Sequence, residues 1–482
     1  MMRDRLRRRR TPIVVSLLLV VSASLAACDS EAQPRPKPTP TTAGPTELTF
    51  GVWGNSREID AYQSVVDTYN ESASGVQVTI KAWPDAEALA DAVLAGGDTP
   101  DVFLLSRTDL ERVSEAGLNK PLLELVDERG VDFGDGYSRE ALLAFSAADD
   151  QQCMPYGVSP MVIFYNKDLI DFERMAEREL PAPTPLEPEG EEPDESPGDG
   201  TEEQTQADPT YVAWTFDELA AAAKFASRPR RQTKGIHVEP NLRGLAPFVY
   251  AGGGEVFDDD AEPTSLAFSS DETRDALTPT LELLRDPALT LTQEQLEEKP
   301  AIEWFKQGQL GMMAGFRSMV PDLRRASGLD FDVMPMPTMD DRATVGDVSG
   351  LCISARPVAT IPQAADFLVY LASAEAVARV ATAGYLVPAN LQVAASEDFL
   401  QSDQRPATAQ VFNASVPDMR LMPLIDSFRE LEAAVRDPLR QLLTMPVLDA
   451  EALTTQIDEE SRTILDPEAE SPDPDETTSD DE

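Results

Sequence analysis

The chain has 482 residues, 86 of them Asp or Glu against 40 Lys or Arg, for a formal net charge of -46 at neutral pH. That balance argues against nucleic acid as a partner and against docking on anionic lipid through a basic face. A single histidine, His237, leaves no multi-histidine metal centre and removes most Ser–His and Cys–His catalytic sets.

The first element is a positive segment, Arg3, Arg5 and the arginines at 7–10, followed by an apolar run over 13–21 and small residues up to Cys28. The run is shorter than the ~20 apolar residues that span a bilayer, so the segment 1–27 reads as a cleaved export signal. Leu25-Ala26-Ala27-Cys28 resembles the box of bacterial lipoprotein signals. The resemblance implies that Cys28 becomes the mature N-terminus and carries a diacylglyceryl group and acyl chains such as palmitate. Two chains hold where one is marginal, at ~0.8 kcal/mol per buried methylene. An ordinary secretory signal that happens to contain a Cys is the alternative. The expected location is the cell membrane, lipid-anchored and facing the extracellular or periplasmic side; Asp29 implies inner-membrane retention if the cell is Gram-negative.

Residues 28–46 form a Pro-rich tether. Residues 47–53 (ELTFGVW) predict a strand, and Ile59, Tyr62, Val65, Val66 and Tyr69 recur at helical spacing. A second strand is expected over 76–82, a helix over 87–95 and a third, largely apolar strand over 100–106. Strand, helix, strand, helix, strand is the rhythm of an α/β lobe with a mainly parallel sheet, whose ligands bind beyond the strands' carboxyl ends. Farther on, Thr215 and Glu218 form a capping box ahead of an Ala-rich helix, and His237 sits in an expected strand. With the leader and tail set aside, more than 350 residues remain, too many for one core, so two lobes are the default.

Residues 187–208 and 466–482 are acidic and rich in Pro, Ser and Thr, with no cation. Such composition cannot bury enough apolar surface to offset chain entropy, so disorder is expected in an insert at 181–210 and in the tail. If Cys28 is lipidated, Cys153 and Cys352 remain, and an even pair in an oxidising exterior suggests a disulfide; two free buried thiols are the alternative.

The order of motifs resembles the sugar-binding family of extracellular solute-binding proteins of ABC importers, the maltose-binding-protein-like group. The matching stretches are FGVWG at 50–54, TPDVFLLS at 99–106, CMPYGVSPMVIFYNKDLI at 153–170 and WTFDELAAAAKFA at 214–226. They continue with YAGGGEVFD at 250–258, WFKQGQLGMMAGFRSMVPDL at 304–323, VSGLCISARP at 348–357 and YLVPAN at 385–390. The resemblance implies a two-lobed, type II-like periplasmic-binding-protein fold, α/β, with hinge strands between the lobes. It assigns 47–152 and 350–388 to the N-lobe and 153–349 and 389–465 to the C-lobe. It places three crossings, near 152–157, 346–354 and Pro388, so that Cys153 and Cys352 fall on neighbouring hinge strands.

Binding a sugar takes flat apolar faces and planar polar side chains. Trp53, at the end of the first strand, is the first candidate, with core packing as the alternative. Asn55 and Glu58 follow at a helix start, where either serves a ligand or caps the helix. Ser106 and Arg107 stand after the third strand, Tyr156 follows the first crossing, with packing as the alternative, and Gly350 and Tyr385 lie on segments that return to the cleft edge. At Gly315-Phe316-Arg317 the family often carries Gly, any residue, then a stacking Trp. Here Phe316 and Arg317 stand instead, and Arg offers either a fork for a carboxylate or phosphate, pointing to a ligand with an acidic group, or a planar face and donors for a neutral sugar. Phe428 or Arg429 are further candidates by resemblance.

The leading expectation is a non-enzymatic, monomeric, lipid-anchored binding protein without cofactor or metal. It would capture a carbohydrate or related polar solute by hinge closure and deliver it to a permease. The alternatives are a binding-protein fold repurposed as a surface scaffold or sensor, and an extracellular glycoside hydrolase, which needs two carboxylates about 5–10 Å apart across a cleft.

Overall fold

The computed structural model describes residues 44–97, 99–131, 136–147, 150–186 and 210–467. The signal segment 1–27, Cys28, the tether up to 43, residues 187–209 of the acidic insert and the tail from 468 lie outside the described residues. Chain contacts divide the molecule into two units, Met1–Gly44 and Pro45–Glu482, and the elements that follow belong to the second.

β1 (Thr46–Trp53) leads into α1 (Ser56–Ser72), whose buried face is Tyr62, Val65, Val66 and Tyr69 at helical spacing. Asn55 caps α1: its Oδ1 accepts the N–H of Arg57 at 3.0 Å and of Glu58 at 3.3 Å. β2 (Val76–Trp83) pairs with β1 in parallel from Thr46↔Val76 to Trp53↔Trp83. After α2 (Ala86–Ala95), β3 (Val102–Ser106) joins β1 in parallel on the other side. Every side chain of β3 is buried, as expected of a strand covered on both faces.

The chain then crosses over. β4 (Met154–Pro160) and β5 (Val162–Asn166) are separated only by Met161 and belong to different sheets. α3 (Phe216–Ala226) begins with the expected capping box, the Thr215 N–H donating to Glu218 Oε2 at 2.6 Å and the Glu218 N–H to Thr215 Oγ1 at 3.4 Å. The second sheet takes β6 (Lys234–His237), then, after α4 (Leu242–Ala251), β7 (Leu310–Gly315) and β8 (Phe331–Met334), in the order β8-β5-β7-β6. The chain returns through β9 (Thr344–Ser354), an eleven-residue strand. β10 (Met419–Arg420) pairs with the start of β9, and α5 (Phe428–Ala434) follows.

Both sheets are mixed, which corrects the expectation of a mainly parallel sheet in each lobe. In the seven-stranded first sheet, β10-β9-β3-β1-β2 lie in that order, and β4 and a two-residue strand at Asn119–Lys120 also pair with β9; the parallel pairs β1–β2 and β1–β3 meet β9, which runs antiparallel to β3 and to both of these. In the second, β5 is antiparallel to both β7 and β8, and only β6–β7 is parallel. The cause is topological: strands that enter a lobe across a hinge have no crossover helix to return them in the same direction.

Two apolar cores fill the molecule, and the first reaches from the first sheet onto one face of the second, where Val162, Phe164, Phe331 and Val333 join it. Met154, Tyr156 and Val158 of β4 lie in the first core, and along β5 the side chains alternate, Val162 and Phe164 in the first core and Ile163 and Tyr165 in the second, so one extended path runs from one sheet into the other. β9 does the same in reverse, with Val345 in the second core and Val348, Leu351 and Ile353 in the first. A third segment runs alongside: the Val158 N–H donates to the Val387 carbonyl at 2.9 Å and the Ala389 N–H to the Tyr156 carbonyl at 3.0 Å. The hinge is therefore three extended segments side by side. Cys153 and Cys352 form a disulfide at its first-lobe end, with Cα atoms 4.4 Å apart and both residues fully buried.

Candidate functional site

A cavity of about 110 Å³ lies on the hinge, between the strand ends of the first lobe and the returning segments. Its aromatic and polar lining includes Trp53, Glu58, Tyr62, Ser106, Ser159 and Asp347, with Ser318, Ser349 and Tyr385 beside them. Trp53, the last residue of β1, is half-buried against the first core. Gly54 follows at φ +131, a conformation that favours glycine. A Cβ there would fall 2.2 Å from Glu58 Oε2, so the absence of a side chain lets the Glu58 carboxylate fold back over the turn.

Burial pushes the Glu58 carboxyl up to about 7; the Asn55 N–H, which it accepts, opposes the rise, and the nearby Asp347 carboxylate adds to it. Asn55 and Glu58 thus cap α1 reciprocally, yet only Glu58 also faces the cavity. Ser106 ends β3, opposite Ser349 of β9, and its Oγ lies 3.0 Å from Thr108 Oγ1. Arg107 sits next door in a gap of about 20 Å³, shared with Arg243 and Met422. Its Nη1 donates to the Met422 carbonyl, and burial pushes its pKa down to about 10.

The remaining candidates are not brought to the cavity. Arg317 is fully buried, which corrects its reading as a fork for an acidic ligand. Its Nε donates to the Gly384 carbonyl and its Nη2 to the Phe399 carbonyl, each at 3.1 Å, and the guanidinium lies over the rings of Phe399 at 4.7 Å and Phe412 at 5.5 Å. It is a strut tying the end of β7 to the 384–399 segment, and burial lowers its pKa to about 9. Phe316 packs half-buried against the second core. Tyr156 is 2 % exposed, its ring 6.3 Å from that of Tyr62. Gly350 lies inside β9, where a Cβ would come within 2.9 Å of the Phe145 ring; its smallness serves packing, not a ligand. Asn55 is exposed and turned to the helix start.

The profile of the bacterial extracellular solute-binding protein family matches residues 64–407, most of the chain. The chain belongs to that family. A curated relative, the maltotriose-binding protein of Pyrococcus abyssi (strain GE5 / Orsay), is 22 % identical over 288 residues, 59 % of this chain and 53 % of the relative. The chain therefore spans about half the length of that relative. Among solved structures, the ABC substrate-binding protein Lmo0181 from Listeria monocytogenes, in complex with cycloalternan, superposes with a TM-score of 0.70 at 19 % identity, over 87 % of this chain and 99 % of that one. The maltotriose-binding protein of Thermus thermophilus, bound with maltotriose, gives 0.64 at 18 % identity, over 86 % and 99 %. UgpB from Mycobacterium tuberculosis, in complex with glycerophosphocholine, gives 0.67 at 17 % identity, over 89 % and 100 %. These likenesses establish the two-lobed periplasmic-binding-protein fold.

Among the polar residues lining the cavity of this solute-binding protein, Tyr62, Ser318, Asp347 and Ser349 were not among the ligand candidates of the sequence. Tyr62 reads as one more member of the apolar face of α1, which it also is. Asp347 lies in the middle of a hinge strand, where the β9–β4 pairing sets it opposite Ser159.

Proposed function

We propose that this solute-binding protein captures a carbohydrate or related polar solute in the hinge cleft and delivers it to the membrane subunits of an ABC importer. One observation carries the reading. Three aromatic side chains, Trp53, Tyr62 and Tyr385, and the oxygen-bearing Glu58, Ser106, Ser159 and Asp347 meet in one cavity where the lobes join. Flat apolar faces suit the C–H surfaces of a sugar ring, and carboxylates and hydroxyls suit its hydroxyl groups. The named ligands of two similar structures, cycloalternan and maltotriose, support the class. With Arg317 committed to the interior and two carboxylates in the lining, a neutral solute is favoured over an acidic one.

The cavity is small beside the ~300–1,000 Å³ of pockets that take drug-sized ligands, so admission of a solute requires the lobes to part about the three hinge segments. Ligand shifts the open–closed equilibrium only as far as it prefers the closed form. The lobes are taken as 47–152 with 350–388, and 153–349 with 389–465. The ligand set proposed is Trp53, Glu58, Ser106 and Tyr385, joined by Ser159 and Asp347, with Arg107 in the gap beside the cavity. A monomer anchored through lipid on Cys28, with the tether 28–46, would keep the capture module near its permease and raise its effective concentration there.

A thermal-shift panel of neutral sugars, sugar acids and sugar phosphates tests the reading. Ligand at a hundred times Kd stabilises by about 2.7 kcal/mol. Neutral sugars are expected to raise Tm in the wild type and less so in Trp53→Ala; a panel in which no sugar shifts Tm contradicts the proposal.

A further inference from the structure

Past Ser106, Asp347 and Val348 the cleft ends in charge. On the other side of these shared residues lies the separate gap of about 20 Å³ at Arg107, Arg243 and Met422. Arg243 of α4 stands 3.6 Å from Asp347 and 3.6 Å from Glu432 of α5. Also on α5, Arg429 reaches across to the first lobe. Its Nη2 is 2.5 Å from Asp109, and its Nη1 is 3.1 Å from Asp91 and 3.3 Å from Glu87. Asp91 and Glu87 lie one turn apart on α2, and Asp109 follows Arg107 by two residues. Asp109 is 1 % exposed, with Arg112 of its own lobe 3.5 Å away.

The arrangement is specific to the meeting of the lobes. Phe428 and Leu431 hold α5 in the second core without Arg429, and α2 is fastened to the first core by Leu89, Ala90 and Val93. A guanidinium paired with three carboxylates is not displaced cheaply, because a ligand group entering there must break these ion pairs, one of them a hydrogen bond from Nη1 to Asp91, and leave the buried Asp109 without its cation from the second lobe.

We propose that Arg429 is a specificity-determining residue: clamped by Asp109, Asp91 and Glu87, it walls off one end of the cleft and restricts the ligand to a short solute of one or two rings at Trp53, Glu58 and Tyr385. The inference rests on the carbohydrate reading for the nature of those rings. Arg429 acts on longer ligands through the position of α5 against the first lobe, and Arg107 and Met422 form the inner side of the same wall.

The test titrates the full chain with glucose, maltose, maltotriose and maltotetraose by calorimetry. Removing Arg429 alone strands a buried carboxylate, so the variant is the double substitution R429A/D109N, with R429K as the conservative control. The wild type is expected to prefer the better of glucose and maltose over maltotetraose by about tenfold or more, and the double variant to lose most of that preference, with R429K in between. Equal affinity for short and long chains in the wild type, or an unchanged preference in the double variant, overturns the proposal. If no sugar binds either protein, the carbohydrate reading fails, and the wall is judged without ligand from spin-label distances between Glu71→Cys and Glu282→Cys, one on each lobe. Then R429A/D109N, or about 1 M salt on the wild type, is expected to widen the distance distribution; identical distributions overturn the clamp.

Discussion

The ends of β1 and β7 occupy comparable places, one in each lobe, and send their side chains to opposite fates. β1 ends in Trp53, which turns to the cavity, because Gly54 bends the chain at once and the Asn55–Glu58 cap starts α1 beneath it. β7 ends at Gly315, and two residues later Arg317 donates its N–H to Ser159 Oγ at 3.2 Å and buries its side chain under the 384 and 399 carbonyls. A position at a strand's carboxyl end thus offers a side chain to the cleft without deciding the outcome. What packs across from it decides, and the contrast yields predictions of graded size.

The largest effect is expected from Arg317→Ala. It removes two charge-assisted bonds, leaves the Gly384 and Phe399 carbonyls short of a donor and opens a cavity beside Phe399 and Phe412, for a loss of about 3–5 kcal/mol by chemical denaturation. A loss of a few tenths would show that Arg317 is not a strut. Replacing Cys153 and Cys352 together by Ser comes next, at about 2–4 kcal/mol, because the bond closes a long loop and pins two hinge segments. Wild type treated with reductant is expected to match the double variant.

Glu58→Gln gives the smallest effect, and it depends on pH. The carboxyl titrates near 4.5 when free and at about 7 in the folded protein. Between those values the folded protein holds a proton that the unfolded chain has released. The contribution of Glu58 is therefore full below 4.5 and is lost as pH rises through about 7. Wild type should lose about 1–2 kcal/mol more than Glu58→Gln between pH 4.5 and 8, after allowance for screening at a half-buried site. Parallel stability profiles for the two proteins would remove Glu58 from the buried lining.

Much of this was legible where local pattern and tertiary demand coincide. The helical spacing of Tyr62, Val65, Val66 and Tyr69 and the Thr215–Glu218 box are properties of short stretches, and both appear as read. The pairing of Cys153 with Cys352 was legible from cysteine arithmetic and family order, because only two cysteines are left once Cys28 is set aside. Strand direction was not, since periodicity says nothing about whether β5 runs with or against β7. Nor was the direction of Arg317, which depends on carbonyls 67 and 82 residues away. The Arg429–Asp109 bridge spans more than three hundred residues and leaves no local trace.

The central claim is that the ligand is held by the first-lobe strand ends around Trp53 while Arg317 only braces the second lobe. Calorimetric titration of the sugar that most stabilises the wild type, carried out in parallel on Trp53→Ala and Arg317→Met, tests it most directly. The account predicts an affinity loss of about tenfold or more for Trp53→Ala, a π-face removed from the cavity, and near wild-type affinity for folded Arg317→Met. Unchanged binding in Trp53→Ala together with lost binding in a folded Arg317→Met would contradict it.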